Sequence, residues 1–314
     1  MREVNPSTPL SFPKRFPNPI NNKSHKSHKS SFAYNSTLEW AVNLCWEILP
    51  LTSAAGSATL LVEVLQVRRN KEGFQRKEGL QAQLLQVYQR LWEKFGPRHW
   101  WPAETPFEVI VGAILTQNVA WRNVQKAIGN LKARGALSAE ALLALQEAEL
   151  EELIRPTRYY KVKARKLKAF CLYLHKNYGG SLEALFARPL PELRKELLGV
   201  WGLGKETVDS ILCYAGGKAI MPMDAYTVRI FSRLGLVPEK ISYDRLQELF
   251  IANLPADNRL FNEYHALIDA LGHYICLPQE PRCLECPLRA VCSWAAEKGV
   301  PGSHDESAPA VLGQ

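Results

Sequence analysis

An all-α protein is predicted from three observations on the 314-residue sequence. Apolar residues recur at three- and four-residue spacing from about Leu80 onward, few segments alternate as strands do, and the periodic stretches are joined by short turns marked by Gly and Pro. The first helix begins near Leu80, where Leu84, Leu85, Tyr88, Leu91 and Trp92 fall on one face. Further helices are predicted at 106–117, 121–134, 138–147, 161–177, 181–187, 190–198, 205–215, 225–235, 243–253 and 260–276. No repeat of fixed period is present, and the stretch from Gly302 reads as a disordered end.

A hydrophobic content of 46% with 10% aromatic residues is enough to bury one large core or two small ones. The formal charge of +8 and pI near 9.1 favour an anionic partner such as nucleic acid, because clustered Lys and Arg gain from counterion release. Much of that charge is in the tail: within residues 1–35, Arg2, Lys14, Arg15, Lys23, Lys26 and Lys29 face only Glu3, which leaves +3 for the remainder. The tail is acid-poor and rich in Ser, Asn, Lys and Pro, the composition of disorder or of an organelle transit peptide, and residues 1–79 are read as a disordered or non-native extension. The longest apolar run, Ile48 to Val67, is broken by Pro50, small polar residues and Glu63, so a membrane span is not expected.

The segment Leu197-Leu198-Gly199-Val200-Trp201-Gly202-Leu203-Gly204-Lys205-Glu206-Thr207 ends one helix and starts another across a glycine-dense turn. Glycine permits positive φ and close approach of another backbone. The amides of Leu203, Gly204 and Lys205 can then face a phosphate at the start of the second helix, where unpaired N–H groups and the dipole favour an anion. The plain alternative is an αα-turn with a glycine cap. Eighteen residues after Glu206 comes Asp224, in Met221-Pro222-Met223-Asp224-Ala225-Tyr226-Thr227-Val228-Arg229, placed to cap the next helix.

Seven cysteines are present: Cys45, Cys171 and Cys213 lie scattered in apolar surroundings, and Cys276, Cys283, Cys286 and Cys292 fall within seventeen residues. That clustering suggests a metal site in a reducing compartment, not disulfides. Four thiolates in one loop can hold a tetrahedral zinc or an iron–sulfide cubane. Zinc fingers usually separate two close pairs by a longer span, unlike this one.

Hairpin, intervening helix and Met-Asp-Ala-Tyr-Thr-Val-Arg together resemble the signature of the base-excision DNA glycosylases typified by endonuclease III, in the helix-hairpin-helix superfamily. The resemblance spans about residues 80–295. It implies that Asp224 is catalytic, its carboxylate stabilising an oxocarbenium-like sugar in a water-poor cleft where charge counts for more than in bulk solvent. It also implies a [4Fe-4S] cluster on Cys276, Cys283, Cys286 and Cys292, whose spacing coincides with the family's C-terminal loop. Arg282 and Arg289 in that loop are then expected to turn outward to phosphate. The implied architecture is two helical lobes flanking a DNA cleft: a six-helix barrel over 104–222 with the hairpin at 197–215, and a cluster lobe of 80–103 with 223–295, followed by a tail at 296–314.

Where bifunctional members carry a lysine that attacks the sugar and nicks the strand, this sequence has Glu206, which cannot form an imine. The resemblance therefore implies a monofunctional enzyme. Lys205 is one residue earlier, rotated by about 100° on a helix, and is expected to address the DNA backbone. The Trp100-Trp101-Pro102 segment and the following Leu115-Thr116-Gln117-Asn118 resemble the branch that excises 3-methyladenine. An extruded base needs aromatic faces to replace its lost stacking, and a cationic alkylated purine is favoured by indole. Trp101 and Trp121 are expected to form the walls of that pocket, with Trp100 and Pro102 closing it; Gln117 and Asn118 are expected to fill the gap in the duplex, hydrogen-bonding the orphaned partner. Two rival readings are an endonuclease III-like glycosylase and abasic-site lyase using Lys205 on oxidised pyrimidines, and a non-catalytic iron–sulfur DNA-binding protein. The expected setting is cytoplasmic and nucleoid-associated, with a monomer bound to damaged duplex, since one chain supplies the whole site.

Overall fold

The computed structural model describes residues 79–301, which fall in one compact unit of the chain. The basic tail, Cys45 and the stretch from Gly302 lie outside the described residues. All-α is what the sequence predicts and what is found: no strand occurs among the described residues. The helices are α1 (79–95), α2 (Pro106–Leu115), α3 (Trp121–Ala133), α4 (Ala139–Ala144), α5 (Glu147–Leu153), α6 (Tyr160–Tyr178), α7 (Leu182–Ala187), α8 (Leu190–Leu198), α9 (Lys205–Ser210), α10 (Ala225–Arg233), α11 (Tyr243–Asn253), α12 (Asn258–Tyr274) and α13 (Ser293–Glu297). A π-helical turn, Ile211–Ala215, continues α9. None of these helices is long and apolar enough to cross a membrane.

Local chemistry sets the ends. Thr105, Ser138, Ser181, Asp224, Ser242 and Asp257 each accept a backbone N–H in the first turn of the helix that follows. Pro106 starts α2 at a position where its missing N–H costs nothing. The predicted helix at 138–147 ends at Ala144, because Leu145 and Gln146 adopt extended backbone, and an unpredicted helix, α5, begins at Glu147.

Helix α2 is the central element, buried along its whole length from Phe107 to Leu115 and packed against α3, α6, α9 and the π-turn. Its one buried carboxylate, Glu108, is paired with Lys132 of α3 at 2.9 Å. A second apolar centre forms where α10, α11 and α12 meet: Phe231 packs edge-on against Phe250 (4.8 Å between centroids), and Phe250 against Tyr264 (5.7 Å). Helix α1 joins that centre through Tyr88, which meets Tyr264 at 5.2 Å, and through the Tyr264 hydroxyl, which donates to Leu84 O at 2.7 Å. Gly272 of α12 lets α10 approach, since a Cβ there would sit 2.5 Å from Cγ of Tyr226.

Candidate DNA-processing site

The hairpin runs from the end of α8 into α9. Gly202 has φ +84, and the stem of Lys166 lies where its Cβ would be, 2.5 Å from Cγ, so both the turn and its packing demand glycine. The Leu203 amide donates back to Val200 O at 3.2 Å. The predicted phosphate-facing set therefore narrows to Gly204 and Lys205, because the turn closes on Leu203's own N–H. Gly204 takes the N-cap position with no side chain to satisfy the helix start. The Lys205 amine does not join the turn: it pairs with Asp244 of α11 at 2.6 Å on the surface. Sequence reasoning passed over Trp201, which is 54% exposed at the hairpin with the Arg165 guanidinium 5.5 Å from its ring.

Asp224 caps α10. Its Oδ1 accepts from both the amide and the hydroxyl of Thr227, each at 2.7 Å, while Oδ2 lies 3.6 Å from His265 Nε2. Surrounding protein, aided by the negative charge of Asp224, pushes the Glu206 carboxyl up to about 7, while the residue as a whole is exposed, so solvent screens part of that effect. Asp269 on α12 is pushed up to about 6 by burial and then by Asp224. Three carboxylates and one imidazole thus share the neighbourhood of the α10 N-terminus.

The hairpin and Asp224 hold a fixed relation through Asp209, fully buried on α9. It accepts from Arg194 (2.7 and 3.0 Å), from the Tyr243 hydroxyl (2.7 Å) and from the Gln247 amide (2.8 Å), and Gln247 also donates to Met221 O, three residues before Asp224. One carboxylate therefore ties α8, α9, α11 and the Asp224 segment together.

The tryptophans do meet. Trp100 and Trp101 centroids are 5.3 Å apart, Trp100 and Trp121 5.0 Å, and Trp101 and Trp121 5.4 Å with an 86° interplanar angle. A base sandwiched between two parallel faces needs roughly 7 Å, two contact distances, so Trp101 and Trp121 form an aromatic wall and not a slot. Tyr214 of the π-turn extends the wall, 5.5 Å from Trp101. Gly112 lets the Trp101 indole lie against α2, where a Cβ would come 2.9 Å from Nε1. The loop is anchored by the Arg98 amide, which donates to Glu263 at 2.6 Å. Pro102 lies exposed beside the wall.

Gln117 and Asn118 behave differently. The Gln117 amide nitrogen donates to Thr207 Oγ1 at 2.8 Å, and its oxygen accepts from the Lys166 amine, so this side chain struts the end of α2 against the hairpin. Asn118 is exposed, with φ +54, and is the member of the pair free to reach outward.

Cys276, Cys283, Cys286 and Cys292 line one cavity together with Arg233 and Arg289, and none is in a disulfide. Among the described residues no three Cys, His, Asp or Glu side chains close on a point suited to a single ion. Arg233 Nη1 donates to Cys276 Sγ at 3.2 Å. Arg289 does not turn outward as expected: it lines the cavity, and its Nε is buried without a partner. An anionic group held by the thiols would supply the missing acceptor, so the donor set fits a cluster of net negative charge. Arg282 is exposed, as expected. Cys171 and Cys213 are buried core thiols.

Residues 111–255 match the family model described as HhH-GPD superfamily base excision DNA repair protein. Over 217 residues the chain is 44% identical to a protein of Methanocaldococcus jannaschii assigned as a DNA repair glycosylase, covering 69% of this chain and 98% of that relative. It is 28% identical over 194 residues to endonuclease III of Thermotoga maritima, covering 62% and 85%. Among solved structures, the fold is similar to endonuclease III in a trapped covalent intermediate with DNA (TM-score 0.61, 23% identity, 70% of this chain and 98% of that one). It is also similar to the 3-methyladenine DNA glycosylase of H. pylori bound to 1,N6-ethenoadenine (TM-score 0.53, 27% identity, 62% and 96%).

Proposed function

The chain belongs to the HhH-GPD superfamily of base excision DNA repair proteins, and on that premise we propose that it is a monofunctional glycosylase that flips an alkylated purine such as 3-methyladenine out of duplex DNA and hydrolyses its N-glycosidic bond. It is a DNA glycosylase of the endonuclease III and HhH-GPD superfamily, in base excision repair.

One observation carries the monofunctional reading. The hairpin residue beside Asp224 is Glu206, and the nearest hairpin amine, that of Lys205, is occupied by Asp244 at 2.6 Å. Without an amine at the sugar, water is the nucleophile. Asp224 stabilises the developing positive charge of the sugar through the oxygen that Thr227 leaves free, and the Thr227 bonds fix where that oxygen points. The half-exposed faces of Trp100 and Trp121 receive the extruded base, Asn118 enters the gap it leaves, and the hairpin amides of Gly204 and Lys205 hold a backbone phosphate. The DNA cleft lies between a lobe of residues 104–222 and one of residues 80–103 with 223–295.

Relatives of the endonuclease III type typically carry a [4Fe-4S] cluster, and here Cys276, Cys283, Cys286 and Cys292 would hold it, with Arg233 and Arg289 as its charged neighbours. Such a cluster supplies a rigid anchor for the loop that presents Arg282. The reading is tested with DNA methylated by an alkylating agent: the wild type should release methylated purine, and Asp224→Asn should lower that rate by about 10²–10³ while retaining binding. Release unaffected by Asp224→Asn would reject it.

A further inference from the structure

His265 of α12 is buried, with 9% of its surface exposed, and each of its ring nitrogens faces one group. The Tyr214 hydroxyl lies 2.6 Å from Nδ1 but 3.4 Å from its other acceptor, Asn262 O, so the shorter contact takes the phenolic proton. Burial raises the Tyr214 pKa, so the phenol keeps that proton. With Nδ1 accepting, a neutral imidazole carries its hydrogen on Nε2. Nε2 is buried, has no hydrogen-bond partner, and stands 3.6 Å from Asp224 Oδ2, the oxygen that Thr227 does not hold.

Resting on the glycosylase reading above, we propose that His265 is a positioning residue for Asp224, donating from Nε2 to Oδ2, with Tyr214 fixing the imidazole tautomer that makes this possible. At 3.6 Å the bond is not yet made. Hydrogen bonds of this kind are often long in a free enzyme and tighten when substrate is bound. The bond is worth making because Asp224 lies close to two other acids, Glu206 and Asp269, and a donor on its second oxygen fixes that oxygen's direction among them. Tyr214 also packs edge-on against Trp101 at 5.5 Å, so a base arriving at the tryptophan wall bears on the residue that holds His265. Pocket and carboxylate are thereby joined in the order Trp101, Tyr214, His265, Asp224.

The test compares single-turnover base release from methylated DNA with the affinity for the same DNA. His265→Ala should slow release by about 10- to 100-fold with affinity unchanged. His265→Gln keeps a donor near Nε2 and should recover most of the rate, while Tyr214→Phe, which keeps the ring against Trp101 but loses the hydroxyl, should slow release several-fold. Wild-type rates in His265→Ala, or a folded His265→Gln as slow as His265→Ala, would overturn the proposal. A second measurement is independent of activity: in 15N-histidine spectra, the signal lost in His265→Gln should be a neutral ring protonated on Nε2, and protonation on Nδ1 would overturn the assignment. A wild type that releases no base yet shows the Nε2–H signal would break the glycosylase reading and leave the geometry of His265 supported.

Discussion

Thr227 donates twice to one oxygen of Asp224, which makes the two carboxylate oxygens chemically different before any DNA arrives. The capping bond expected from the sequence is made, and on the proposed reading the same side chain carries the charge that the reaction needs, aimed by its cap. Glu206 is the second informative residue. Its carboxyl is harder to ionise in the folded chain, pushed from 4.5 up to about 7, so the unfolded chain gains relative to the folded one as pH climbs from below 5 through 7. Glu206→Gln removes that penalty. Its melting temperature should therefore exceed the wild type's little at pH 5 and more at pH 8, by an amount on the order of a few degrees; a gap that does not widen with pH would mean the carboxyl is not so perturbed. That Glu206 stands near Asp224 and that the four cysteines share one cavity was legible in the sequence, because the signal is spacing along one stretch of chain. Tyr214 and His265 were not, since they come from segments some fifty residues apart and each alone looks like a core position. Gln117 was legible as a polar residue in the right register but not as a strut, because Lys166 and Thr207 reach it from other helices.

At the scale of elements, the helix pattern was readable wherever a cap or a glycine marked the end. It failed at α5, where Gln146 starts the helix without a side-chain cap and only Leu150 is buried, so an acidic run gives almost no periodic signal. It also missed α13, a short helix of the cysteine loop. The relation between the hairpin and Asp224 was hidden in the sequence, since it depends on α11 reaching across to Asp209. That carboxylate is fully buried and accepts from three side chains on two other helices. Asp209→Ala leaves the Arg194 charge without its partner and should cost about 3–5 kcal/mol in chemical unfolding. Tyr243→Phe, which removes one neutral hydrogen bond, should cost about 1 kcal/mol. Equal costs for the two would mean that Arg194 finds another partner and that the network is not built around Asp209.

For the whole molecule, charge spoke least clearly, because most of the +8 lies in the N-terminal tail while the fold carries its cations at specific places. Arg289 and Arg233 face the four thiols, and Arg282 faces solvent. The cysteine spacing suggested a metal centre, and the three-dimensional arrangement adds what spacing could not show, a buried guanidinium nitrogen of Arg289 without a partner beside the four thiols. Purified protein should contain about four iron and four sulfide per chain, with visible absorbance lost in Cys286→Ser; zinc with no sulfide would replace the cluster reading by a mononuclear one. On the proposed reading water, and not a lysine, attacks the sugar. That step is tested most directly by an end-labelled duplex carrying one stable 3-methyladenine analogue, incubated with the protein and analysed before and after hot alkali. Strand breaks that appear only after alkali are predicted, whereas breaks without alkali, trapped by borohydride as a covalent adduct, would contradict the account and identify a lysine as the nucleophile.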